Sequence, residues 1–346
     1  MNSEPPGLDL QRLLPWFRQN VAPVSSLRAT LVGRGLSNLT YKVSSEDHVW
    51  ALRRPPLAHV LPTAHDMWRE YRVQKALESS AVPVPKTVAY CGDESVIGAP
   101  FYVMEFVEGI APGDSPDFVE RLDPEARRNL SRRLIEVLAA LHQIDYRAIG
   151  LEDFGHPQGY MARQVKRFGQ QLERSRNRPV EDMDFLFQRL SQAVPESGDY
   201  TIVHGDYRLD NCLLDSSGDI AAVLDWELST LGDPLADLGM LAMYWADPGE
   251  DLFANAPGVE SALLTSLDGF MRRHEALAYY SELTGRSLEP LPFYEAFAHF
   301  KLAVILEGIH KRYIDGGTVG EGFEKVGDLA LAVAAKGREI AEAARL

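Results

Sequence analysis

Three polar side chains, Asp206, Asn211 and Asp225, define the chemistry open to this chain. They lie in residues 201–227, TIVHGDYRLDNCLLDSSGDIAAVLDWE. A β-prone run at 201–203 leads into a polar loop, 204–211. Two more β-prone runs, 212–214 and 220–224, flank the turn at 215–219 and predict a hairpin. Asn211 precedes the first of these strands and Asp225 follows the second, so both reach one ion from opposite sides. Mg²⁺ prefers amide and carboxylate oxygens of this kind. Phosphoryl transfer needs such an ion on the phosphates and a carboxylate that aims an acceptor hydroxyl and takes its proton. Asp206 is placed for the proton, Asn211 and Asp225 for the ion. Read singly, each Asp is equally a turn residue or a strand terminator. Order, spacing and strand context together favour the chemistry. His204 reads as a brace for the loop and Cys212 as a small core residue.

The elements around this hairpin follow from periodicity. Apolar residues at Leu10, Leu13, Leu14 and Phe17 predict a helix over 8–20. Strands at 27–32 and 39–43 enclose Gly33-Arg34-Gly35-Leu36-Ser37-Asn38. Glycines there let backbone N–H groups approach phosphate oxygens, with a plain hairpin turn as the other reading. A strand follows rather than a helix, which excludes a dinucleotide-binding fingerprint. No G-x-x-x-x-G-K-[ST] run occurs. Alternation along the next strand, 49–53, puts Val49, Ala51 and Arg53 on one face and sends Arg54 to the other, toward solvent. The run from Thr63 to Asp66 predicts a helix start, with Met67, Glu70, Val73 and Leu77 forming its apolar stripe. A carboxylate on that stripe needs a partner. Arg53 is one candidate; an exposed Glu70 paired with Arg69 or Lys75 is the other.

Strands at 87–90 and 101–107 precede a Gly/Pro/Asp-rich linker, 109–117. Asp123-Pro124 is an N-cap followed by a proline suited to the first helical turn, opening a helix to about His142, itself read as structural. Helices are expected at 158–176 and 181–194, from Asp233-Pro234, and at 259–284, 292–315 and 321–344. Asp237 either braces the catalytic loop or is solvated. Lys301, Glu307, His310 and Lys311 either reach an acceptor or are solvated. Between Asp225 and Asp233 there is no room for an activation segment, so no phosphorylation switch is expected.

Composition narrows the class. The chain has 346 residues, enough for two lobes, with 45% apolar and 25% charged residues. Thirty-five basic against fifty acidic residues give a net charge of −15, which argues against nucleic acid and anionic membrane as partners. Two cysteines and no evident leader or apolar span are the grounds for expecting a cytoplasmic protein.

HGDYRLDN together with LDWE resembles the aminoglycoside phosphotransferase and choline kinase branch of the protein-kinase-like fold. The resemblance implies an α+β, two-lobed architecture: an N-terminal nucleotide-binding lobe, 1–107, with a five-stranded antiparallel sheet and one helix, and a mainly helical catalytic and acceptor-binding lobe, 108–346. It implies ATP and Mg²⁺ as cofactors and a small-molecule hydroxyl as acceptor. Asp206 would be the base, and Asn211 and Asp225 the metal ligands. Gly33, Gly35, Ser37 and Asn38 would cover the phosphates, although Asn38 replaces the usual third glycine. Arg53, backed by Glu70, would orient the phosphates where relatives more often carry Lys. The segment from Glu105 to Val107 would be the hinge whose backbone reads the adenine edge, with Met104 and Phe106 either lining the base pocket or filling strand core. FYEAFAHFKLAVILEGIHKR is similar to the kinase-like domain found beside or fused to acyl-CoA dehydrogenases. That implies a hydroxyacyl-CoA acceptor and functional association with such a dehydrogenase. Two other functions stay open: a nucleotide-binding scaffold without turnover, and a metal-dependent phosphoesterase built on His204, Asp206 and Asp225.

Overall fold

The computed structural model describes residues 5–32, 38–46, 48–57, 66–196, 198–254, 256, 259–317 and 323–346. The N-terminal part opens with α1 (Leu10–Asn20), capped by Asp9, whose carboxylate accepts the N–H groups of Gln11 and Arg12 at 3.0 Å each. Strands β1 (Arg28–Val32), β2 (Leu39–Ser44) and β3 (Val49–Arg54) follow, then α2 (Met67–Leu77), β4 (Thr87–Cys91) and β5 (Phe101–Glu105). The five strands form one antiparallel sheet in the order β1-β2-β3-β5-β4. Period-two alternation gives the sheet two buried faces. Trp50, Leu52, Phe101 and Val103 pack with Leu13 and Phe17 of α1. Ala51, Tyr102 and Met104 pack with Met67 of α2.

Arg54 corrects the expectation of a solvated side chain. It is 6% exposed and donates to the carbonyls of Gly7 and Ile97, the latter at 3.1 Å. The chain entering α1 supplies the Gly7 oxygen, and the connection between β4 and β5 supplies that of Ile97. Tyr41 likewise donates to Pro6 O at 2.5 Å. The start of α2 is also simpler than a Thr-based capping box: Asp66 caps it, accepting Arg69 N at 3.1 Å, and Thr63 and His65 lie outside the described residues.

β5 ends at Glu105 rather than at Val107. Ile110 pairs with Leu214 through two backbone bonds of 2.8 and 2.9 Å, which draws the chain off the sheet. The helical region then runs through α3 (Pro116–Arg121), α4 (Pro124–Gln143), α5 (Tyr160–Ser175) and α6 (Glu181–Gln192). β6 (Thr201–Val203), β7 (Cys212–Leu214), β8 (Ile220–Val223) and β9 (Thr230–Gly232) come next. Finally come α7 (Pro234–Met243), α8 (Arg273–Thr284), α9 (Leu291–Ile314) and α10 (Val326–Ala343). β7 and β8 form the expected hairpin, while β6 pairs with β9, a strand the sequence reading missed. The single helix expected over 259–284 is broken. A 3₁₀ turn, Glu260–Ser266, is followed by non-helical residues before α8. Gly269 has φ +100°, and a Cβ there would meet Pro124 O at 2.4 Å, so this stretch turns tightly against the start of α4.

One core of the helical region gathers α4–α10 around the two small sheets. α7 and α9 approach so closely that a Cβ on Gly239 would lie 2.6–2.8 Å from the backbone and Cβ of Tyr294. Among the described residues, no helix is long and apolar enough to cross a membrane. Gly239→Ala should destabilise the fold by ~1–3 kcal/mol through overpacking. A fall in the denaturant midpoint at unchanged slope checks this; an unchanged midpoint contradicts it.

Candidate active site

The loop at 204–211 is fixed from below by Asp237 on α7. Its buried carboxylate accepts His204 N at 2.6 Å and Gly205 N at 2.7 Å. Burial alone would raise the Asp237 pKa, but the His142 ring and the Gly205 N–H hold it below the usual carboxylate value. His142 lies 3.3 Å from Asp237 and bonds Tyr280 Oη at 2.7 Å through its other nitrogen. Burial lowers its pKa despite that carboxylate, so it serves as a neutral structural link. His204 ties the loop to the end of β8: Asp206 N donates to Nδ1 at 3.3 Å, which leaves Nε2–H to donate to Leu224 O at 2.8 Å.

Asp206 and Asn211 are in direct contact. Asn211 Nδ2 donates to Asp206 O at 2.7 Å and to Asp206 Oδ2 at 3.0 Å. Arg208, whose Nε lies 3.5 Å from Asp206 Oδ2, pairs with Asp210 at 2.5 Å and stacks 4.9 Å over the Tyr244 ring. Burial would lower the pKa of Arg208, but Asp206 and Asp210 push it upward, so it stays charged beside Asp206. Leu224 N donates to Asn211 O at 2.8 Å, which sets Asp225 next to Asn211 across the hairpin. Asp225 has φ +63°, a left-handed conformation uncommon outside glycine. It turns its carboxylate back onto Arg53 Nη2.

Arg53 is shared. Its Nε donates to Glu70 Oε2 at 2.8 Å and its Nη1 to Thr40 Oγ1 at 3.3 Å. Glu70, 1% exposed, also accepts from Tyr102 Oη at 3.1 Å and from Asn38 Nδ2. Burial raises the Glu70 pKa and Arg53 opposes it, while Arg53 itself is raised by its carboxylate neighbours against the effect of burial. The alternative partners of Glu70 are engaged elsewhere: Arg69 with the carbonyls of Phe154 and Ser229, and Lys75 with Glu78 at 2.9 Å. Asn38 spans to Glu227 Oε2 at 3.1 Å.

Glu227, the last residue of LDWE, and Arg208 were given no role in the sequence reading. Their signal was proximity alone: each lies two residues from Asp225 or Asp206. Burial, and then the charge of Asp225, push the Glu227 carboxyl up to about 7. Gly33, Gly35 and Ser37 lie outside the described residues. At the hinge, Glu105 N–H is spent on Lys86 O at 2.8 Å, and Val107 N–H has no backbone partner among the described residues. Met104 is buried with α2, and Lys42 sits 4.2 Å over the Phe106 ring. On α9, Lys301 donates to Gly205 O at 2.8 Å, whereas Glu307 pairs with Arg178, Lys311 with Asp315, and His310 packs on Gly327.

The donor set fits one Mg²⁺ on nucleotide phosphates. Asn211 spends its Nδ2 on Asp206, which leaves Oδ1 for an ion, and the Asp225 side chain is 30% exposed. Asn38 Oδ1 is buried with no hydrogen-bond partner among the described residues. A two-metal phosphoesterase needs a different set. Among the described residues, no three His, Cys, Asp or Glu side chains are arranged to share an ion, and both His204 nitrogens are engaged.

A small antiparallel-sheet lobe, a helical region and this hairpin define the protein-kinase-like class of phosphotransferase folds. Residues 28–269 match the phosphotransferase enzyme family, and the chain belongs to it. A crystal structure from Ralstonia eutropha JMP134, provisionally named an aminoglycoside phosphotransferase, is 36% identical, covers 97% of this chain and 98% of its own, and superposes with a TM-score of 0.80. Aminoglycoside phosphotransferase APH(4)-Ia in ternary complex with AMP-PNP and hygromycin B shares the fold at a TM-score of 0.62 and 14% identity, over 96% of this chain and 97% of its own. Acyl-CoA dehydrogenase family member 11 of Gallus gallus is 34% identical over 340 residues, 96% of this chain and 42% of that protein. Family member 10 of Mus musculus is 36% identical over 82% of this chain and 26% of its own length. The chain thus spans about two fifths or less of these two curated relatives.

The raised carboxyl of Glu227 makes stability pH-dependent in protein free of metal and nucleotide. Its folded value of about 7 exceeds the ordinary 4.5, so the folded state holds the proton longer than the unfolded chain. The Glu227 contribution should therefore fall as pH rises from about 4.5 to about 7 and level off above. Glu227→Gln should stabilise the protein at pH ~8 by on the order of a few kcal/mol at most, with the gain vanishing near pH ~4. Thermal melts of both proteins across that range check this; a difference independent of pH contradicts it.

Proposed function

We propose that this chain transfers the γ-phosphoryl group of ATP, with Mg²⁺, to a hydroxyl of a small molecule. The observation that carries the reading is the contact between Asp206 and Asn211, with Asp225 brought alongside by the hairpin. Asp206 accepts the proton of the acceptor hydroxyl as that oxygen takes the phosphoryl group and ADP departs. Asn211 orients the Asp206 carboxylate, and the Arg208 guanidinium lies 3.5 Å from it. Asn211 Oδ1 and the Asp225 carboxylate would hold Mg²⁺, which when bound offsets the negative charge of the phosphates. Arg53 supplies a fixed cation toward the phosphates, and Glu70 sets its direction.

The relatives named acyl-CoA dehydrogenase family members extend well beyond the matched segment. Their names, which mention only an acyl-CoA dehydrogenase, prompt our proposal of a hydroxyacyl-CoA as acceptor and of a functional association with such a dehydrogenase. Asp206→Ala should lower turnover ~10²–10⁴-fold while ATP still binds. ADP release measured with hydroxyacyl-CoAs, amino-alcohols and aminoglycosides checks this. Turnover within a few-fold of wild type would remove Asp206 from its role. ATP binding without ADP release for every acceptor would favour a non-catalytic scaffold.

A further inference from the structure

A cleft of about 510 Å³ opens beside the catalytic loop, with Gly205 in its wall. Tyr160, Gln164, Arg167 and Gln171 recur at three- and four-residue steps on α5, so one face of that helix lines it. Lys301 of α9 lines it too. The volume suits a small organic molecule. Gly205 in its wall is the residue immediately before Asp206.

The charges of this cleft run against those of the whole chain. Overall the chain carries −15, yet the wall presents Arg69, Arg167 and Lys301 against Asp66 and Glu227. Both acids have protein donors: Asp66 caps α2, and Glu227 accepts from Asn38. Arg69 is held by carbonyls and Lys301 by Gly205 O. Arg167 differs. It is exposed and makes no hydrogen bond or ion pair among the described residues, resting only 5.8 Å over the Phe168 ring. Its guanidinium can meet a planar oxyanion with two parallel N–H groups.

We propose that the cleft between α5 and α9 is the acceptor site, and that it selects a hydroxylated molecule bearing an anionic group, carboxylate or phosphate, which Arg167 binds. This rests on the phosphotransferase reading and narrows its acceptor class. Cationic amino-alcohols and aminoglycosides would meet repulsion from Arg167, Lys301 and Arg69.

The test compares hydroxybutyrate, its methyl ester, its CoA thioester, choline and kanamycin as acceptors for ADP release. The ester removes the carboxylate charge, and the free acid and the thioester separate a carboxylate source from a phosphate source. Arg167→Glu is compared with Lys166→Glu, which makes the same charge change at an exposed neighbour outside the cleft. The expected result is that the acid or the thioester outperforms the ester, choline and kanamycin. Arg167→Glu should raise the KM for that anionic acceptor at least ~10-fold, while Lys166→Glu leaves it unchanged. Equal or better turnover of the ester or the cations, or an unaltered KM in Arg167→Glu, overturns the proposal and leaves phosphotransfer standing. If no acceptor releases ADP, the phosphotransfer reading fails, and calorimetric titration of the acid and the thioester decides the cleft. Binding weakened in Arg167→Glu alone upholds the anion site; absent binding, or binding equal in both variants, overturns it.

Discussion

A single guanidinium joins the two halves of this site. Arg53 comes from the central strand of the small sheet, Glu70 from the helix packed on it, and Asp225 from the hairpin of the helical region. Arg53 and Glu70 are withdrawn from water, so the charges must be paired or the fold is penalised by several kcal/mol. Tyr102 and Asn38 complete the shell around Glu70 and leave its carboxylate little freedom to turn elsewhere. The same contact that closes the sheet lobe onto the catalytic hairpin thus fixes a cation where nucleotide phosphates would lie. Asn38 carries the linkage one step further, to Glu227, two residues beyond Asp225.

The second constraint is the floor beneath the catalytic loop. Asp237 holds two successive backbone N–H groups, His142 holds Asp237, Tyr280 holds His142, and these residues belong to α7, α4 and α8. Three helices distant in sequence are therefore needed to place one short loop. His204 connects that loop to the end of β8, which ties Asp206 to the hairpin that carries the metal-binding candidates. Left-handed backbone at Asp225 belongs to the same economy. A non-glycine residue tolerates that strain when its surroundings over-determine it, and here Arg53 takes the carboxylate.

Much of this was legible in the sequence because it is local. The hairpin turn, the loop 204–211, the proline-marked starts of α4 and α7, and the buried Glu70 on an apolar stripe each follow from neighbours a few residues apart. What escaped depends on distant chain. Arg54 alternates away from Arg53 as expected, but Gly7 ahead of α1 and Ile97 between β4 and β5 supply it with carbonyls, which strand periodicity cannot show. β9 is three residues long and exists only because β6 lies beside it. The break before α8 follows from the approach of Gly269 to the start of α4. Glu227 gains its raised pKa from burial first, which its place two residues after Asp225 could not show, and then from the Asp225 charge.

The central claim is that the buried Arg53–Glu70 pair serves nucleotide phosphates and not only the fold. Replacing both at once, Arg53→Met with Glu70→Met, removes the charges while leaving apolar side chains of similar volume, a change that buried pairs often tolerate without loss of stability. Calorimetric titration of this folded double variant with ATP and Mg²⁺ is the direct measurement. The account predicts nucleotide affinity lower by ~10-fold or more, the cost of losing a charge-assisted contact. Affinity within a few-fold of wild type, in a double variant that melts like the parent, would contradict it.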